Sequence, residues 1–138
     1  MPTLIVNIDV DDLEKATGFY TSALGLTVGR RFGGAGVELV GGEAPIFLLV
    51  AGSGSAPFRG ATGTRGYLRH WTPVHLDFVV ADIEAAVTRA VSAGATVEVP
   101  VERHEFGRLS VLADPFGHGF CLLQFEGRGY DEMATSRG

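Results

Sequence analysis

The sequence predicts an α+β fold made of two copies of a strand–helix–strand–strand–strand module. Three observations carry this. First, "LIVNIDVDDLEKAT" (4–17) aligns with "VHLDFVVADIEAAV" (74–87), setting Asp12 against Asp82, Leu13 against Ile83, Glu14 against Glu84 and Ala16 against Ala86. Second, in each copy the apolar residues recur at every second position and then switch to helical spacing. Third, three short strand-like runs separated by Gly-rich turns follow each helix. A module of this size is too small to hold a stable core alone, so the two must bury their sheets by pairing, within one chain or between two.

The elements follow in order. Over 4–10, Leu4, Val6, Ile8 and Val10 share one face and Ile5, Asn7 and Asp9 the other, which predicts a strand with one apolar side. Leu13, Ala16, Tyr20 and Leu24 recur at helical spacing. Asp12, or Asp11 with Glu14, is suited to cap that helix, and Gly25 to end it. "LTVGRRF", "AGVELVG" and "APIFLLV" read as strands. In the second copy "VHLDFVV" turns Val74, Leu76, Phe78 and Val80 to the core. The helix "ADIEAAVTRAVSAG" turns Ile83, Ala86, Val87, Ala90 and Val91 inward and closes at Gly94. "TVEVPVERH", "GRLSVLAD" and "GFCLLQF" are strands, the last two joined by the tight turn "DPFGHG".

The chain is therefore expected to be one domain over 1–138: module one at about 3–50, a linker at about 51–73, module two at about 74–126, and a peripheral tail at 127–138. A structureless stretch of the linker's length is unusual inside a compact domain, but reasonable between two modules. "GSGSAPFRG" lacks the Lys-Ser/Thr of a phosphate loop and reads as flexible chain. Phe58, Tyr67, Leu68 and Trp71 are unusual for a linker and are expected to pack on the other module or on a second subunit.

Composition excludes several classes. The net charge is −5 and no basic run exceeds Arg30-Arg31, so a nucleic-acid surface is disfavoured. No apolar run approaches the roughly 20 residues that span a bilayer, and the N-terminus has no signal-peptide pattern. Cys121 is the single cysteine, so no intrachain disulfide forms, which fits a reducing, cytoplasmic setting.

The segments "VDDLEKATGFYTSALGL", "HLDFVVADIEAA" and "FGRLSVLADPFGHGFCLLQ", in this order and with the internal repeat, resemble the vicinal oxygen chelate superfamily of glyoxalases, bleomycin-resistance proteins and extradiol dioxygenases. The resemblance covers nearly the whole chain. It implies two modules whose sheets curve around a central cavity, and homodimerisation, with the modules in one variant exchanged between chains through the linker. It also implies four cavity positions on the first and last strands of the modules, where metal-dependent members place His, Glu, His or Gln, and Glu. Counting back from the helix-start Asp places two of these positions at Ile5 and His75, counting on from Asp114 of the turn places one at Cys121, and aligning "IFLLV" with "FCLLQ" places the fourth at Phe47, give or take one residue.

A divalent ion needs three or more N, O or S donors, and this set offers two. No cofactor is therefore expected; if a divalent metal binds, His75 is its first ligand. The same face carries Asn7, Asp77, Leu123 and Phe125, giving a mostly apolar cavity suited to an organic ligand. His104, Phe106 and Arg108 match loosely a segment that contacts ligands in related binders; solvated strand-end roles suit them equally. Cys121 reads as a small buried residue, His118 as structural, and Asp12 and Asp82 as caps. His70 and Trp71 fit either a cavity rim or an interface.

Three functions remain open. One is a metal-free protein that binds a small, partly aromatic molecule, with Phe32, Phe47, Phe58, Trp71 and Phe106 as stacking surface. Another is a metal-dependent lyase, isomerase or dioxygenase that keeps His75 and recruits His104, Glu105 or Glu38. The third is a metal-free enzyme with His75 as base, or as a hydrogen-bonded core residue if no chemistry occurs there.

Overall fold

The structure is a computed structural model in which residues 1–136 are described. The chain runs β1 (Val6–Val10), α1 (Leu13–Leu24), β2 (Thr27–Arg31), β3 (Gly36–Val40), β4 (Ile46–Val50), then β5 (Leu76–Val79), α2 (Ile83–Ala93), β6 (Thr96–His104), β7 (Gly107–Ala113) and β8 (Gly119–Phe125). The repeat is thus βαβββ twice. Each module forms one four-stranded mixed sheet, ordered β1-β4-β3-β2 and β5-β8-β7-β6. In each, the first strand runs parallel to the last and the other pairs are antiparallel. A parallel pair needs a crossover connection, and the helix of each module supplies it. The two sheets stay separate and do not close into a barrel.

The helices begin and end where their sequences indicate. The Asp12 carboxylate accepts from the Lys15 amide at 3.1 Å, and that of Asp82 from Ala85 at 3.1 Å. Gly25 ends α1 in the left-handed region at φ 67°, a conformation that costs a side chain steric energy. α1 buries Ala16, Phe19, Tyr20 and Ala23, and α2 buries Ile83, Ala86 and Ala90. The helices pack on each other, so both modules share a single core, with Leu39 and Leu48 from one side and Leu112, Phe116 and Leu122 from the other.

A polar joint crosses this core. The Tyr20 hydroxyl of α1 donates to the buried carboxylate of Asp114 in the β7–β8 turn. The same carboxylate accepts from the amides of Phe116 and His118 at 2.8 and 2.9 Å. Burial, then the charge and hydrogen bond of Asp114, hold the Tyr20 phenol well above its ordinary range.

Two expectations need correction. Val91 is 46 % exposed and Val74 is exposed, since α2 buries a narrower stripe than its periodicity implies and β5 starts only at Leu76. The "GSGSAPFRG" stretch is not loose chain. The Arg65 guanidinium bonds Asp9 at 2.8 Å, Ser55 Oγ at 3.2 Å and the Ala56 carbonyl at 2.7 Å, while the Gly54 and Arg65 amides exchange bonds with Arg65 and Ser55 carbonyls at 2.8 Å. The described tail from 127 on is exposed except at Gly129, and it forms a 3₁₀ turn (Gly129–Glu132) whose Tyr130 ring sits 4.8 Å from Phe125 and 5.3 Å from Phe106. The last two residues of the expected tail lie outside the described ones. Of the linker's apolar residues, Tyr67 packs on the core and donates to the Ala51 carbonyl at 2.6 Å, while Phe58, Leu68 and Trp71 are exposed in the single chain.

Candidate functional site

Period two in the strands divides each sheet into a core face and a face turned away from the helices. On the second face the modules are equivalent residue for residue. Asn7 pairs with Phe47 in module one, and Asp77 with Cys121 in module two. Ile5 and His75 each stand one residue before the first strand of their module. The four positions reached by counting therefore occupy matching places on the two sheets.

Module two carries the polar chemistry. His75 Nδ1 lies 3.0 Å from Asp77 Oδ1. The Cys121 sulfur lies within 4.8 Å of the same carboxylate; burial first, and then Asp77, push the thiol up to about 11. At neutral pH this sulfur is a thiol, which is both a poor nucleophile and a poor ligand. His75, Asp77 and Cys121 together offer three donor atoms within 4.8 Å of one another. Asp77 raises the count from two donors to three. Sequence reading placed it on the right face but left it out of the ligand set, because only register sets its carboxylate between the other two. A cavity of about 190 Å³ opens here, lined by Arg69, Trp71, Thr72, His75, Val111 and Cys121 among others. The linker residues in that lining were not legible, since their place depends on how the linker folds back.

Module one holds Ile5, Asn7 and Phe47 at the same positions, two hydrocarbon side chains and one amide, with one charged pair beside them. Ile5 is 53 % exposed and the side chain of His75 50 %, so both half-sites face solvent in the single chain. The cavity at His75 includes no residue of module one. Next to Phe47, Glu38 accepts from Arg30 Nε at 2.9 Å and Nη2 at 2.8 Å, and from the Arg30 amide at 3.0 Å. These bonds, the side-chain ones first, hold the Glu38 carboxyl at about 2. The Arg30 guanidinium lies 5.8 Å from the Phe32 ring and 5.9 Å from the Phe47 ring, and the two rings are 6.0 Å apart. This aromatic–cation platform escaped the sequence reading because a register shift in β2 places Arg30 over Phe47.

The remaining candidates lie elsewhere. His104 stacks on Phe106 at 5.2 Å at the tip of the β6–β7 hairpin. Arg108 binds Glu126 at 2.8 Å and Glu84 at 3.6 Å. None of these three lines the His75 cavity. Leu123, 2 % exposed, lies two residues along β8 from Cys121, on the same face. Among the described residues no helix is long and apolar enough to cross a membrane.

Two βαβββ modules with a matched four-position site define the architecture of the vicinal oxygen chelate superfamily. The glyoxalase-like domain family matches residues 5–123, and the chain belongs to it. It is 32 % identical over 126 residues to an uncharacterized protein of Mycobacterium bovis, covering 89 % of this chain and 83 % of the relative. It is 34 % identical over 128 residues to the anthracycline biosynthesis protein DauV of a Streptomyces species, but spans only 40 % of that protein's length, with 86 % of this chain aligned. A solved structure of the fosfomycin resistance protein FosX from Listeria monocytogenes, in complex with Mn(II) and 1S,2S-dihydroxypropylphosphonic acid, superposes with a TM-score of 0.71 at 17 % identity. That match covers 96 % of both chains and shows the fold alone.

Proposed function

We propose that the protein binds a small, partly aromatic organic molecule between the solvent-facing sides of its two sheets, without a catalytic metal. The observation that carries this is the exchange of donors for hydrocarbon at Ile5 and Phe47, together with a Cys121 thiol that keeps its proton at neutral pH. Phe32 and Phe47 offer a stacking surface. A flat ligand gains about 25 cal/mol per Å² of apolar area buried and roughly 0.5–1.5 kcal/mol per good aromatic contact. The Streptomyces relative, named for anthracycline biosynthesis, makes planar polycyclic aromatics the first class to try.

The half-exposed inner faces further support a cavity completed by a second copy, with module one of one chain facing module two of its partner. The free thiol suits a reducing, cytoplasmic compartment. The decisive experiment is a thermal-shift screen of planar aromatic antibiotics and metabolites, paired with sedimentation. A ligand at 100 times its Kd adds about 2.7 kcal/mol, and Phe47→Ala is expected to remove most of that gain. No stabilising compound, with a monomer at micromolar concentration, defeats the reading.

The His75–Asp77–Cys121 cluster favours one alternative, a metal-dependent enzyme. Three protein donors are the number a catalytic zinc site uses, and a bound ion would supply a Lewis acid that polarises a substrate oxygen. The donors already satisfy one another, however, so loading requires the thiol to release its proton and affinity then rises with pH. Elemental analysis of untagged protein separates the readings: near-stoichiometric metal lost in His75→Ala favours the enzyme.

A further inference from the structure

We infer that His70 and His118 share one added proton, forming an acid-closed clasp that fastens to the β7–β8 turn the end of the linker that lines the His75–Cys121 cavity. The linker lies directly on the β7–β8 turn. The His70 amide donates to the Gly117 carbonyl at 3.2 Å. Gly117 has φ +81°, and a Cβ there would stand 2.4 Å from the Leu68 carbonyl oxygen. A Cβ on Gly119 would stand 2.5 Å from the Arg69 guanidinium. Beyond this contact, Arg69, Trp71 and Thr72 form one wall of the cavity.

The hydrogen count gives the clasp its sign. His70 Nδ1 faces the Leu68 carbonyl at 3.0 Å, and His118 Nε2 faces the Asp9 carbonyl at 2.7 Å. Carbonyl oxygens only accept, so each of these nitrogens carries a hydrogen. The remaining two, His70 Nε2 and His118 Nδ1, face each other at 3.1 Å. Two neutral imidazoles own two hydrogens, and both are already placed. The third contact then opposes two lone pairs, unless one proton is taken from solvent and the pair becomes singly charged. Shifting a hydrogen to fill it strips one from the Leu68 or Asp9 contact instead.

No neighbouring group supplies that hydrogen. From β1, the Asp9 carboxylate is held by Arg65 at 2.8 Å. From the turn, Asp114 only accepts. From the linker, Tyr67 donates to Ala51 and Arg69 pairs with Glu98 of β6. The Arg65 and Arg69 charges that oppose a further cation are therefore both neutralised locally. The clasp joins the linker, the turn and β1. It is closed while the pair holds the added proton and loosens when that proton leaves. Its role as a gate rests on the proposed reading of the cavity as a ligand site; the clasp itself does not, and its test uses no ligand.

The His70 amide, bonded to the Gly117 carbonyl in the closed clasp, reports on the strap. Amide hydrogen exchange of the full chain from about pH 5 to about pH 8, corrected for the intrinsic rate at each pH, is expected to show protection at His70 falling as pH rises. The open-to-closed ratio should change by at most about tenfold per pH unit, the limit for a single proton. His70→Gln and His118→Gln should each abolish the transition, whereas His75→Gln, outside the clasp pair, should leave it in place. A transition that survives both clasp variants, vanishes in His75→Gln, or is missing from the wild type overturns the inference. Side-chain ¹⁵N spectra of the wild type give an answer that does not depend on variants folding. Three imidazole hydrogens on the pair at acid pH and two at alkaline pH are expected; two throughout overturns it.

Discussion

The solvent-facing sides of the two modules share one register and differ in chemistry. In module two, His75, Asp77 and Cys121 bond to one another around a single carboxylate. In module one the matching places hold Ile5, Asn7 and Phe47, and the nearest charged groups, Arg30 and Glu38, are spent on each other. Duplication therefore preserved the frame without preserving the site. The core positions answer to packing, which both modules need. The opposite face carries less of that packing demand, and its two halves differ.

The strongest way to break this comparison is to test whether the frame is truly shared. Leu48 and Leu122 are fully buried at matching core positions. Leu48→Ala and Leu122→Ala are each expected to cost about 2–5 kcal/mol, read in urea as one cooperative transition. Two transitions, with one module unaffected, would mean that the shared core does not couple them. Next comes the joint. Tyr20→Phe deprives the buried Asp114 of one of its donors and should cost about 1–3 kcal/mol, measured by the same unfolding curve.

Smaller effects sharpen the contrast between the two faces. Cys121 keeps its proton more tightly when folded, so its contribution to stability is complete below the unfolded thiol value, near 9, and is lost as pH rises toward about 11. Labelling by a thiol reagent at pH 8 should therefore be slow. Asp77→Asn removes the adjacent charge and should speed it, whereas Asn7→Asp in module one should not change it. Glu38 behaves in the opposite sense. Its folded carboxyl sits at about 2, so its contribution is present above the unfolded value and fades as pH falls toward about 2. Carboxyl NMR titration should find that midpoint, and Arg30→Ala should return it to the ordinary range.

Much of this was legible before any coordinates. The spacing of Val6, Ile8 and Val10, the caps at Asp12 and Asp82, and the turn at Asp114 fixed elements and order, because those preferences act over a few residues. Counting from the caps and the turn, with an alignment for Phe47, reached Ile5, Phe47, His75 and Cys121, which stand at matching places on the two sheets. Asp77 as a third donor, Arg30 over Phe47, and the linker wall of Arg69 and Trp71 were not legible. Each depends on which strand residues stand opposite one another, or on where a long connection returns.

The sequence by itself determined two βαβββ modules and an apolar face on each, since periodicity and capping are local and strong. Only the tertiary structure decided that the helices pack into one core while the sheets stay apart, and that His70 meets His118. Those contacts join residues far apart in the chain, and their energy exists only once the chain has folded back on itself.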